Sequence, residues 1–222
     1  MAESLIECVA NCSEGRNVKT VQALEQAVST VNDVILLDRH DDVDHNRCVL
    51  TFAGSVDSIA TAAFELVSTS TKLIDLRHHT GQHPRIGATD VLPFIPLAGA
   101  TINQCVQVAK KVGRRVGKEL GIPVFLYEEA CTQPSRKALE TIRRGGLPHL
   151  SERMNSDHLW KPNFGPGNPH PSAGAIAIGA RYPLIAFNIL LNTNNLVIAK
   201  EIAKNIRASN VGLSGVKSLV LE

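Results

Sequence analysis

The residues best able to do chemistry lie together in Arg77-His78-His79-Thr80-Gly81-Gln82-His83-Pro84-Arg85-Ile86-Gly87. Three of the eight histidines and two arginines fall within these eleven positions. An imidazole titrates near neutrality, so it can take a proton and give it back, and a cationic neighbour suits an anionic substrate. Pro84 restricts His83 to extended backbone, so His79 and His83, though four apart, do not make a helical pair of metal ligands. Gly81 and Gly87 allow backbone to approach a ligand closely on either side. The competing reading is a solvated loop. No cysteine or supporting carboxylate pattern favours a metal here, and none is expected.

A second unusual segment is Trp160-Lys161-Pro162-Asn163-Phe164-Gly165-Pro166-Gly167-Asn168-Pro169-His170-Pro171-Ser172-Ala173-Gly174. Alternating Pro and Gly make a fixed, irregular ribbon with exposed backbone groups, useful against a flat heterocycle with amide-like edges. Trp160 and Phe164 could supply stacking faces. A rigid linker between subdomains is the alternative. Lys110, Lys111, Arg114, Arg115 and Lys118 lie opposite an apolar helical stripe and read as a solvated face. Asp41, Asp42, Asp44 and His45 match no calcium-loop spacing.

Periodicity supplies the elements that must position these loops. Strands are expected at Ser4–Val9, Val34–Leu37, Cys48–Phe52, Asp90–Ile95, Val124–Glu128, Gly174–Ile178, Leu184–Leu190 and Val216–Leu221. Helices are expected after Asn17, from Asp57 to Leu73, from Thr101 to a stop at Gly121, at 135–144 and at 196–208. Residues 39–46 read as a charged connection and 147–173 as one long loop. The βαββαβ opening predicts an α+β, ferredoxin-like mixed sheet with helices on one face, followed by the start of a second similar subdomain. A doubly wound sheet competes less well, since no G-x-G-x-x-G follows the first strand.

Composition narrows the classes. The 222 residues are 44% hydrophobic and 20% charged, which excludes a disordered chain and leaves ample material for a core. A net charge of +2 gives no case for nucleic acid or an anionic membrane surface. Cys8, Cys12, Cys48, Cys105 and Cys131 include no C-x-x-C and read as reduced, mostly buried thiols of a cytoplasmic protein. The first residues carry no secretory pattern, and the most apolar run, Leu184–Leu191, is too short to span a bilayer.

Glu7-Cys8-Val9-Ala10-Asn11-Cys12-Ser13-Glu14-Gly15-Arg16-Asn17 resembles the opening of the glutamate formiminotransferase family. Asn46-Arg47, Gly81–Gly87, Pro123-Val124-Phe125-Leu126-Tyr127 and Asn163-Phe164-Gly165-Pro166 resemble its later landmarks in the same order. The resemblance implies transfer of a formimino group between N-formimino-L-glutamate and N5 of tetrahydrofolate, a step of histidine degradation, by a homodimer without a metal. It implies that His83 is catalytic and that the folate-contacting ribbon is Gly165, Pro166, Gly167, Asn168, Pro169, His170, Pro171, Ser172, Ala173 and Gly174. Arg85, with Arg77, is expected to draw the glutamyl tail of the folate. Residues 1–180 correspond to the family's N-terminal subdomain and 181–222 to part of a second. Two positions depart from the family pattern: His40 stands where an acidic residue is usual, and Ala173 where an aromatic one is. The alternative is a non-catalytic half-protein of the same family that binds folate or a partner.

Overall fold

A computed structural model of the chain describes residues 4–82, 84–185, 187, 189–207, 212–218 and 220. His83 lies outside the described residues. The chain divides into two units, Met1–Pro183 and Leu184–Glu222.

The first unit runs β1 (Leu5–Cys12), α1 (Val18–Ser29), β2 (Val34–Asp42), β3 (Arg47–Ser55), α2 (Val56–Leu73), β4 (Thr89–Pro96), α3 (Ile102–Glu119), β5 (Val124–Glu128), α4 (Leu139–Arg143), α5 (Gly146–Ser156) and β6 (Ile176–Ala180). Its sheet is ordered β2-β3-β1-β4-β6-β5. The pairs β2–β3, β3–β1 and β1–β4 are antiparallel, whereas β4–β6 and β6–β5 are parallel. The first six elements thus form a ferredoxin-like layer, and β6 and β5 extend it into a mixed sheet.

Local chemistry explains the long helices. The Asn17 side chain accepts from Lys19 N and Thr20 N and opens α1. Thr101 and Gln104 form a reciprocal capping box at α3, and Gly121 beyond its end takes φ +65°. Ser55, rather than Asp57, caps α2; Asp57 lies in its first turn and pairs with Lys111 of α3 at 2.7 Å. The core side of the sheet alternates strictly. Ile6, Cys8, Ala10 and Cys12 of β1 and Cys48, Leu50 and Phe52 of β3 are buried with Leu24, Leu66, Val112 and Val116 of the three long helices.

Among the described residues of the first unit, the opposite face is covered at one end. There α4 and α5 bury Ile142, Leu150 and Met154 against Val91, Phe125, Tyr127 and Ala177. Helices on one face therefore describes α1–α3, and two short helices occupy the other side. The stretch 147–173 is not one continuous loop. Leu147, Leu150 and Met154 recur at helical spacing, and Pro148 sits in the first turn of α5, where its missing N–H costs nothing. Strand β2 likewise continues through Arg39, His40, Asp41 and Asp42. Charged residues fit there because β2 is an edge strand, where they resist pairing with a foreign strand. The β5 edge is closed differently: Asn163 N donates to Val124 O, and Leu126 N donates to Asn163 Oδ1 at 2.9 Å.

In the second unit the Asn195 side chain caps α6 (Leu196–Ile206). The expected strands Leu184–Leu190 and Val216–Leu221 are not formed among the described residues, and Ala186, Asn188, Leu219 and Leu221 lie outside them. A strand needs a hydrogen-bonded neighbour, and the described residues of this unit offer neither segment a ladder.

Candidate active site

Strand directions gather five connections at one rim of the sheet. β1 and β2 end there, while β3, β4, β6 and β5 begin there. The rim therefore carries residues 13–17, 43–46, 74–88, 120–123 and 161–175. Both segments singled out by their composition lie on it.

Main-chain bonds join those two segments. Leu76 N donates to Ser172 O at 2.8 Å, Ala88 N to Ala173 O at 2.9 Å, and Ala175 N to Ile86 O at 2.8 Å. Gly87 and Gly174 form a bridge, and a β-carbon on Gly87 would lie 1.8 Å from Ala175 O. Only a glycine permits that approach. Within the ribbon, His170 and Gly174 exchange main-chain bonds. His170 Nδ1 accepts from Ala173 N at 3.0 Å, which leaves the ring proton on Nε2.

The histidine loop is anchored at several points. Asn46 Nδ2 donates to Thr80 O at 2.9 Å, and His79 Nε2 donates to Asn46 O at 3.0 Å. Arg85 donates to Gly81 O and His79 O, so its guanidinium ties the loop to itself. Ser13 Oγ donates to Gly87 O at 2.7 Å, and Ile86 N donates to the buried carboxylate of Asp90, which also binds Arg143. Arg77 instead pairs with Asp75 in the open.

Burial and the charge of Arg85 hold His79 below its ordinary pKa, and its Nδ1 is buried without a partner among the described residues. It is a neutral structural imidazole. Hydrogen bonds from the backbone and ring of His45 hold Asp42 below the usual carboxylate range, with Asp42 Oδ2 at 2.5 Å from His45 Nδ1. Under the loop, Ser13, His45, Asn46, Arg47, Arg85 and Asp90 line a polar cavity of about 10 Å³. That is room for about one water and too little for a substrate.

Comparison with known proteins decides the family. The model of the formiminotransferase domain, N-terminal subdomain, matches residues 5–181. The chain belongs to the formiminotransferase family. Glutamate formimidoyltransferase of Streptococcus pyogenes is 43% identical over 215 residues, covering 97% of this chain and 72% of that protein. The enzyme of the same name from Thermoplasma acidophilum is 45% identical over 218 residues, covering 97% and 71%. Formimidoyltransferase-cyclodeaminase of Rattus norvegicus is 44% identical over 209 residues, covering 94% of this chain and 38% of that protein.

Every landmark of this formiminotransferase-family chain reaches the rim. Gly165, Pro166, Gly167 and Asn168 are exposed, Pro169, His170 and Ser172 half-buried, Pro171 exposed, and Ala173 and Gly174 buried. The buried end is the stitched end, and the exposed end is the available surface. Gly165 adopts φ +86° and lies tight against Ile122 O, so it is a packing position as well as part of the ribbon. His40 lies exposed on β2 opposite Val49, in a cross-strand row that continues to Asn11. Ala173 is buried as part of the core. Among the described residues no cluster of three His, Cys, Asp or Glu is placed to hold a metal. Residue types alone gave no role to Ser13, Asn46 or Asp90. Ser13 and Asn46 did fall within the family landmarks, and Asn46 carried a further signal in its tight hairpin, since asparagine tolerates the left-handed backbone it adopts at φ +47°.

Proposed function

We infer that this chain transfers the formimino group of N-formimino-L-glutamate to N5 of tetrahydrofolate, in the breakdown of histidine. The observation that carries this reading is identity of 43–45% over 97% of the chain to two glutamate formimidoyltransferases. The transfer breaks the bond from the glutamate nitrogen to the formimino carbon and makes one from that carbon to N5. One proton leaves N5 and one reaches the departing amine. Bound tetrahydrofolate supplies the nucleophilic secondary amine; the rest falls to the protein. Exposed main chain at Gly165–Asn168 and the stitched turn 169–174 fit a flat, amide-edged ring and hold it. His83 moves the proton, since one imidazole can serve as base and then acid. The anchors at Thr80, Gly81 and Ile86 support this role, because they fix the main chain on both sides of position 83. Arg85, near the same surface, contributes cationic field toward the substrate carboxylates.

The chain works as a homodimer in the cytoplasm. Exposed Ile35 and Leu37 on edge strand β2 support the dimer, and five unpaired cysteines fit a reducing compartment. Residues 181–222 are the opening of a second subdomain, a reading supported by the family match ending at 181 and the division after Pro183.

The test is steady-state transfer with a parallel folate titration. His83→Ala is expected to lose roughly 10²–10⁴-fold in turnover while folate affinity changes far less. Near-normal turnover would remove His83 from the mechanism. Folate binding without any turnover by the unaltered chain would leave the non-catalytic binding reading.

A further inference from the structure

We propose that Asn46 is a positioning residue of this transfer, the side chain that tethers Thr80, on the N-terminal side of His83, to the turns after β1 and β2; the inference rests on the assignment of His83 above. Asn46 closes the turn between β2 and β3, is buried, and takes φ +47°. Three of its polar groups serve three different neighbours. Its Oδ1 accepts from Gly15 N at 3.0 Å in the β1–α1 turn. Its Nδ2 donates to Thr80 O at 2.9 Å, and its carbonyl accepts from His79 Nε2 at 3.0 Å. One residue thereby joins three of the five connections on the rim.

The fit of the surrounding backbone is specific to this arrangement. A β-carbon on Gly15 would lie 2.4 Å from Asp42 O, and one on Gly81 would lie 2.4 Å from His45 O. The hairpin is thus pressed between two glycines, one in each partner loop. Arg16 adds a second span, donating to Val43 O at 2.8 Å and to Thr80 Oγ1 at 3.3 Å. Thr80 is three residues before His83, and Arg85, two after it, is bound back to residues 79 and 81. Thr80, for its part, is tethered to the β2–β3 turn by the Asn46 amide.

The chemistry of the position explains asparagine. It needs one acceptor, one donor and tolerance of left-handed backbone. Aspartate would keep the acceptor for Gly15 but set an oxygen against Thr80 O. Glycine would keep the backbone and delete both side-chain bonds. A base acting on a proton depends on angle and distance, and displacement by about 1 Å can cost roughly 10²-fold.

Asn46→Gly and Asn46→Asp form the experiment, each measured beside the unaltered chain and His83→Ala. Turnover is scored per folate-binding site, so that loss of folded protein does not count. Both variants are expected to lose about 10–100-fold in kcat with KM for folate within about threefold, because the exposed ribbon 165–168 lies on a different connection. Amide exchange should accelerate at Gly15 and over 79–86 in Asn46→Gly. Should kcat per site stay within about threefold of the unaltered chain while His83→Ala is inactive, this inference alone falls. Unchanged exchange over 79–86 overturns the tether itself. An inactive unaltered chain, or an active His83→Ala, overturns the functional reading and the positioning role with it.

Discussion

Replacing Asp90 by leucine tests whether the far end of the histidine loop is held by a buried charge pair. Asp90 is 3% exposed, and the Arg143 side chain bonded to it is 17% exposed. The other Asp90 oxygen accepts from Ile86 N at 2.7 Å. Asp90→Leu therefore strands a cation from α4 and a buried N–H from the loop. Breaking a buried pair by deleting one partner costs about 3–5 kcal/mol, and the partial exposure of Arg143 argues for about 3. Loss of the Ile86 acceptor adds about 1 kcal/mol, giving about 4 in total. For a unit of this size that corresponds to a fall of roughly 8–16 °C in the melting midpoint. Replacing both partners, as Asp90→Leu with Arg143→Met, removes the stranded charge. The double variant should then be more stable than Asp90→Leu alone, at about 1–2 kcal/mol below the unaltered chain. Urea melts of the four proteins, followed by circular dichroism, give the coupling energy directly. A coupling below about 0.5 kcal/mol would refute the argument, because the pair would then act as two independent surface groups.

The remaining expectations concern the same rim. Gly87→Ala, whose β-carbon would meet Ala175 O, should cost about 3 kcal/mol in thermal melts, whereas Gly167→Ala, with open space around it, should be nearly silent. Burial and the Arg85 charge lower the pKa of His79 in the folded chain, so the folded state holds that proton more weakly than the unfolded one. Its contribution is complete above about pH 6.5 and is lost as the pH falls through the folded value. His79→Gln should flatten the decline of melting midpoint on the acid side of that point; a slope identical to the unaltered chain would show that His79 is not the group responsible.

Much of the fold could be read locally because its signals are local. Asn17, Thr101 with Gln104, and Gly121 act within a turn of their own helices, and the alternation of β1 and β3 follows from one buried face. Strand β2 was harder beyond Leu37, since an edge strand with an open face has no need of apolar residues. Helix α5 was hidden by Gly145, Gly146 and Pro148, which are compatible with a helix start but equally with a loop. The unusual composition of 77–87 and 160–174 identified both candidate loops. Their junction was not legible, because it consists of main-chain bonds between residues almost a hundred positions apart, as between Leu76 and Ser172. Asn46 stood out only as part of a family landmark, and its contacts were hidden for a similar reason: three partners at distances of 31, 34 and 33 residues leave no trace in spacing.

That main-chain junction has a consequence for how the protein can change. A peptide N–H and a peptide carbonyl are present whatever side chain a residue carries, proline's nitrogen excepted. The bonds from Leu76, Ala88 and Ala175 therefore keep their partners while side chains along the ribbon vary. Positions 166–168 and 171, which project into solvent, are thus open to substitution without loosening the loop beneath them. Selection, in nature or in the laboratory, can vary side chains there while the main-chain junction beneath them is inherited intact.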